Sequence, residues 1–146
     1  MSLTGRLAED MKQAMKAKDK VRLSVIRMVR TAVKNAEIDQ KQELSDDEVL
    51  AVISKELKQR RDSLQAFESA GRQDLVEEAK AEIEILVEYL PTQLSEEEVK
   101  SIVQEVIREV GAASKADTGK VMSVLMPKVR GRADGKLVNQ IVQQLL

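Results

Sequence analysis

Aliphatic residues recur every three or four positions along almost the whole chain, and this spacing constrains the fold more than any other feature. A helix places residues with this spacing on one face, whereas a half-buried strand needs strict alternation. Ser45 and Ser95 each precede a glutamate by three residues, which is the capping box that begins a helix. Gly71, Gly111 and Pro91 stand where periodic runs end. The pattern therefore predicts an all-α protein.

These signals predict seven helices, four before Pro91 and three after it. The first four are expected over about 3–17, 19–39, 45–70 and 72–90, and Pro91 is expected to end the fourth. The last three are expected from 95 to about 110, from 117 or 118 to Pro127, which should kink or end the helix, and from the 131–135 loop to 146. We predict an amino-terminal four-helix domain of residues 1–91 and a carboxy-terminal three-helix domain of residues 92–146.

The sequence contains no histidine and no cysteine. This excludes disulfides, thiol chemistry, histidine-dependent catalysis and every zinc, iron or copper site that needs those ligands. Glutamates such as Glu82 and Glu84 fit a solvated helix face better than an acid–base pair. The acidic run 46–48 fits helix capping better than a magnesium site. We expect no enzymatic activity, no catalytic residue, no metal and no cofactor.

The charges are segregated along the chain although the formal net charge is only −1. Residues 1–42 hold ten Lys and Arg against five Asp and Glu, residues 43–99 hold six against sixteen, and residues 100–146 hold eight against four. Two basic segments can attract a polyanion locally. Alternatively, the basic and acidic segments pair with each other within the chain.

The carboxy-terminal segment has the most concentrated candidate binding residues. A helix start flanked by Gly131 and Gly135 offers free N–H groups to a phosphate, and the alternative is a turn with solvated charges. A second candidate patch lies on the second helix. With one Phe, one Tyr and no Trp, an RNA would be held by its backbone rather than by base stacking. The candidate RNA-binding residues are Lys120, Lys128, Arg130, Arg132 and Lys136, with Arg27, Arg30 and Lys34 as the second patch.

No segment of the sequence suggests export or a membrane. The amino terminus has no apolar stretch of the kind that a secretory signal needs. The longest uncharged run, Leu137–Leu146, has ten residues, about half of what a bilayer requires. These features predict a soluble cytoplasmic protein without a membrane partner.

Several stretches taken together resemble the YqeY family, and the resemblance covers about residues 1–146. It implies an all-helical protein whose carboxy-terminal part is similar to the tail domain of GatB, a subunit of the bacterial glutamyl-tRNA amidotransferase, in which the tail helps to hold the tRNA. The stretches are Asp19–Met28, Lys58–Ser63, Ala70–Leu75, Tyr89–Ser95, Gly119–Met122, Leu125–Lys128 and Gly131–Gly135. The tail-like match falls on Gly119, Lys120, Val121, Lys128, Gly131, Lys136, Leu137, Val138 and Asn139.

The resemblance and the basic loop together predict a non-catalytic module that binds RNA, in particular tRNA. No stretch resembles the catalytic domain of the amidotransferase, so an associated carbon–nitrogen ligase activity, with glutamine as the amido-nitrogen donor, would describe relatives. Two alternatives remain. One is a protein-interaction module whose acidic middle helices dock a partner or a second copy of the chain. The other is an accessory that supports glutamine-dependent amidation in trans, with an amidotransferase or another tRNA-linked protein as its partner.

Overall fold

A computed structural model describes all 146 residues as seven α-helices and one short 3₁₀ turn, Lys115–Asp117, with no strand. The all-α prediction is confirmed. The chain divides into two compact units, Met1–Leu90 and Pro91–Leu146. None of the helices combines the length and the apolar content needed to cross a bilayer. The helices are α1 (Leu3–Ala17), α2 (Lys20–Gln40), α3 (Asp46–Ser69), α4 (Gln73–Val87), α5 (Glu96–Val110), α6 (Thr118–Val129) and α7 (Gly135–Leu145).

Both predicted capping boxes are present. The Ser45 hydroxyl accepts a hydrogen bond from the Glu48 N–H at 3.3 Å, and the Glu48 carboxylate accepts one from the Ser45 N–H at 3.1 Å. Ser95 and Glu98 repeat this exchange at 3.1 and 3.0 Å. These hydrogen bonds, first of all those from the serine backbone, lower the pKa of both glutamates. The boxes fix where α3 and α5 begin.

The amino-terminal unit packs α1–α4 around an aliphatic core that includes Leu7, Ile26, Ile53 and Leu86. The predicted buried stripe of α2 is wrong by part of a turn. The periodicity predicts Val21 and Met28 inside, but they are 41% and 38% exposed, because the helix turns another face toward its neighbours. The buried residues of α2 are Val25, Ile26, Val29 and Val33.

The carboxy-terminal unit has a separate core built by α5, α6 and α7. Each helix contributes three buried aliphatic residues at spacings of three or four, or adjacent to one another, and none of the nine is more than 3% exposed. β-Branched residues fill most of these positions, so tertiary packing outweighs their strand propensity here. The nine are Val99, Val103, Val106, Val121, Leu125, Val129, Val138, Ile141 and Val142.

Helix α4 ends at Val87, three residues before the predicted end. The N–H groups of Tyr89 and Leu90 donate to the carbonyls of Leu86 and Val87, each at 3.1 Å. These bonds close a tighter turn than the α-helix, and both residues are buried. The chain therefore leaves the helix before Pro91 imposes its restriction.

Helix α6 continues through Pro127 to Val129, so the prediction that this proline could end the helix is wrong. Proline fixes φ at a value that a helix accepts, and its cost is one missing N–H donor. Pro127 lies in the last turn and is exposed. Water can therefore hydrate the carbonyl that loses its partner, which makes the position tolerable.

Candidate functional site

The five basic residues predicted in the carboxy-terminal unit do not all lie in one place. Lys120 lies in the first turn of α6 and Lys128 in its last turn, so they are about 12 Å apart along the helix axis. Arg130 caps the carboxyl end of α6, Arg132 lies in the following loop, and Lys136 is in the first turn of α7. The α6–α7 loop thus collects four of the five cations and leaves Lys120 apart.

Hydrogen bonds to the segment after Pro91 hold the backbone of this loop. The Leu94 N–H donates to the Arg132 carbonyl at 2.8 Å, and the Gln93 side-chain amide donates to the Gly131 carbonyl at 2.8 Å. The Arg132 guanidinium donates to the Thr92 carbonyl at 3.3 Å. The loop therefore presents its charges from a fixed backbone, while Arg132 is partly committed to an internal contact.

Lys128 and Arg130 are the cations that face solvent at the end of α6. The Lys128 ammonium lies 3.5 Å from a carboxylate oxygen of Glu109 on α5, and the two side chains are 42% and 48% exposed. An exposed pair of this kind contributes little stability. Arg130 is also exposed. Both side chains can therefore turn toward a polyanion at low energetic cost.

The amino terminus of α7 already holds a carboxylate. Asp134 is its N-cap, and the side chain accepts a hydrogen bond from the Lys136 N–H at 3.1 Å. A phosphate would have to compete with this negative charge for the same free N–H groups. The structure therefore favours the alternative of a capped turn at this helix start over the phosphate cradle.

The three basic residues predicted on the second helix lie together, in a setting that the sequence did not reveal. Arg27, Arg30 and Lys34 line a groove of about 520 Å³ between α1 and α2. Its remaining lining includes both apolar and polar side chains from the two helices. We call this feature the α1–α2 groove, and its other lining residues are Thr4, Leu7, Met11, Thr31, Val33 and Glu37.

Sequence reasoning missed the charged cluster centred on Arg60. The guanidinium lies 2.7 Å from Glu56 and 3.0 Å from Glu82 on α4, and it also contacts the sulfur of Met28 on α2. Arg60 and Glu56 are only 14% exposed and Glu82 is 22% exposed. Glu82 is therefore an internal partner and not a solvated surface acid. The spacing of Glu56 and Arg60, four residues apart, was the available signal.

A second missed cluster fastens the end of α4 to α1 and α2. The Tyr89 hydroxyl donates to Asp10 at 2.5 Å, and the Arg6 guanidinium lies 4.5 Å from the Tyr89 ring centre. Burial, with the Asp10 contact, raises the pKa of Tyr89. Glu88 accepts from Arg22 at 2.5 Å, and this contact lowers the pKa of Glu88. Here the basic and acidic segments do pair within the chain.

The acidic residues that begin α3 serve as hydrogen-bond acceptors. Asp46 accepts from the Leu3 N–H at 3.0 Å and so caps the start of α1 from another helix. Glu48 belongs to the capping box described above. No group of three or more acidic side chains is arranged so that it could hold a metal ion.

These features define a class of protein: an all-helical chain of two units, with a basic loop in the second. The Yqey-like protein family matches residues 4–146, and the chain belongs to this family. The predicted family membership is confirmed. Two curated relatives are called "Altered inheritance of mitochondria protein 41, mitochondrial". The relative from Pyrenophora tritici-repentis is 31% identical over 97% of this chain and 79% of its own length. The relative from Kluyveromyces lactis is 37% identical over 89% and 68%.

A more distant match links the chain to the tRNA-dependent amidotransferases, as the resemblance to the GatB tail implied. A glutamyl-tRNA(Gln) amidotransferase polypeptide from Thermococcus sibiricus is 32% identical over 71% of this chain. The match covers only 18% of that polypeptide. The similarity thus concerns a small part of a much larger protein.

The predicted cytoplasmic localisation is contradicted by the fungal relatives, which are named as mitochondrial proteins. The prediction rested on the lack of an apolar secretory segment. That criterion tests for secretion, and it does not distinguish the cytoplasm from the mitochondrion. The inference was therefore wrong in its last step.

Proposed function

We propose that this chain is a non-catalytic RNA-binding module that holds tRNA by its phosphate backbone through the carboxy-terminal unit. The observation that carries the proposal is the basic end of α6, where Lys128 and Arg130 are exposed beside a loop whose backbone is fixed by hydrogen bonds. Lysine and arginine bind phosphates as point charges and as forks, respectively. The match to a protein whose name includes glutamyl-tRNA(Gln) supports tRNA as the ligand.

The expected binding is electrostatic and weakly sequence-specific. Tyr89 is buried in the amino-terminal unit, and the carboxy-terminal unit has no aromatic residue. Bases therefore find no stacking platform there. Each phosphate neutralised by a cation releases counterions, so the logarithm of the affinity should fall linearly with the logarithm of the salt concentration.

Filter-binding titrations of the full chain with unfractionated tRNA at several salt concentrations test the proposal. The variant K128Q/R130Q should bind more weakly at low salt and reduce the salt slope by about two, since each lost phosphate contact contributes about 0.9. The matched control, K100Q/R108Q, removes two exposed cations from α5 of the same unit and should change neither quantity. Equal losses in the two variants would contradict the location, and no binding at low salt would contradict the function.

A second candidate function is an accessory role beside an amidotransferase. Its specific support is the similarity to part of an amidotransferase polypeptide. Co-purification of the tagged full chain should then recover amidotransferase subunits after nuclease treatment. Recovery that disappears with nuclease would indicate a shared tRNA and would favour the first proposal.

A further inference from the structure

We propose that the α1–α2 groove is a docking site for an acidic amphipathic helix of a partner protein. The groove belongs wholly to the amino-terminal unit, so the inference is separate from the RNA-binding proposal. Three properties of the groove carry it, namely its length, its apolar surface and the sign of its charge.

The length of the groove suits two turns of a helix. Arg27 and Lys34 are seven residues apart on α2, which corresponds to about 10 Å along the axis. A helix that docks in a groove presents anchors at positions i, i+4 and i+7 over the same distance. The volume of about 520 Å³ provides space for the side chains of such anchors.

The apolar surface of the groove extends beyond the residues that line it. Leu7, Met11 and Val33 lie between the two helices. Met15, one turn after Met11, is 52% exposed, and Ile38, one turn after Lys34, is 65% exposed. The two-residue connection makes α1 and α2 antiparallel, so these exposed residues lie toward opposite ends of the groove. Flexible methionines adapt well to an apolar partner.

The charge of the groove selects an acidic partner. Arg27, Arg30 and Lys34 form no salt bridge within the chain, and Arg30 makes its one close polar contact with the Met11 sulfur at 3.0 Å. The carboxylate of Glu37 is engaged by the Leu44 N–H at 3.0 Å. Three cations on one helix thus stand beside an apolar floor, and acidic residues flanking the apolar face of a peptide helix would complement them.

An RNA backbone fits this groove less well. Phosphates would contact the cations and leave the apolar residues uncovered, and the groove contains no aromatic residue on which a base could stack. An amphipathic helix would use both the charges and the apolar surface. The observations therefore favour a protein helix over a nucleic acid at this position.

The test uses the isotope-labelled full chain and a synthetic probe helix with leucine at i, i+4 and i+7 and glutamate on both flanks. The control peptide has the same composition in scrambled order. We expect saturable NMR shift changes confined to α1 and α2 with the probe helix only. The variant R27E/R30E/K34E should weaken binding at least about tenfold, because three complementary charges become repulsive. The milder R27Q/K34Q should weaken it less, and it guards against misfolding of the triple variant.

The matched control is K12E/K16E/K58E, which makes the same change in net charge at exposed lysines of the same unit outside the groove. It should alter the affinity less than about threefold, since only unspecific long-range attraction is lost. Binding that survives the groove variants, or shift changes elsewhere, overturns the proposal. So do shift changes in the groove caused by tRNA and not by the peptide, and a dimer in light scattering that the groove variants dissociate.

Discussion

Replacing Arg60 with methionine should destabilise the amino-terminal unit far more than the removal of an exposed charge. The guanidinium of Arg60 lies between Glu56 of its own helix and Glu82 of α4, and it also contacts Met28 of α2. Methionine keeps most of the aliphatic volume and removes the charge. The substitution therefore leaves two carboxylates close to each other without their cation.

The burial of the cluster sets the expected magnitude. Removing one partner of a fully buried ion pair costs about 3–5 kcal/mol, whereas an exposed pair contributes about 0–1 kcal/mol. The three side chains are 14%, 14% and 22% exposed, so the cluster lies nearer the buried limit. We expect R60M to lower the free energy of unfolding by about 2–3 kcal/mol. The variant R60M/E56Q/E82Q, which removes all three charges, should recover at least about half of this loss.

Urea denaturation followed by tyrosine fluorescence measures this effect in the correct unit, because Tyr89 is the single tyrosine and the chain has no tryptophan. The control is R72M, which breaks the Arg72–Asp74 pair, whose side chains are 59% and 65% exposed. It should cost less than about 0.5 kcal/mol. Equal costs for R60M and R72M, or a triple variant no more stable than R60M, would refute the argument from burial.

Two further predictions concern the same stability. The Arg22 contact lowers the pKa of Glu88 below its ordinary value of 4.5, so its stabilisation is present above about pH 4.5 and is lost as the pH falls through the lowered pKa; since Glu88 is 48% exposed, R22Q should flatten the acid side of the stability curve by no more than about 1 kcal/mol. Lys18 has φ of 56° at the end of α1, so K18G should stabilise the chain by about 0.5–1 kcal/mol in thermal melts, whereas G111A, at φ of 66° with nothing near its added Cβ, should destabilise it by a similar amount; the opposite sign in either variant would contradict the conformational explanation.

The sequence predicted the helices well because their signals are local. The capping boxes at Ser45 and Ser95 depend on four consecutive residues, and both formed as expected. The errors arose where tertiary contacts act. Burial of Tyr89 and Leu90 tightens the chain before Pro91, and no local rule indicates that these residues pack inward. The exposed position of Met28 likewise depends on which face of α2 meets the other helices.

The candidate sites were predicted as lists of cations, and their surroundings could not be. Spacings of three and four correctly placed Arg27, Arg30 and Lys34 on one side of a helix. The groove beside them exists because α1 supplies Leu7 and Met11 across the gap, which only the packed structure shows. In the loop after α6, no local pattern indicated that Arg132 would be drawn into the contact with the Thr92 carbonyl, forty residues away in the chain.

The structure separates two sets of cations that are equivalent in a charge profile. Those at the end of α6 lie on a loop without exposed large apolar neighbours, and that environment suits phosphates, which need charge alone. Those of the α1–α2 groove lie beside exposed and half-buried aliphatic side chains, and that environment favours a ligand that is both acidic and apolar. Because the two proposals rest on different residues in different units, K128Q/R130Q should leave peptide affinity unchanged, and R27Q/K34Q should leave the salt slope of tRNA binding unchanged. A loss of both activities in either variant would mean that net charge, and not the local environment of the cations, determines what this protein binds.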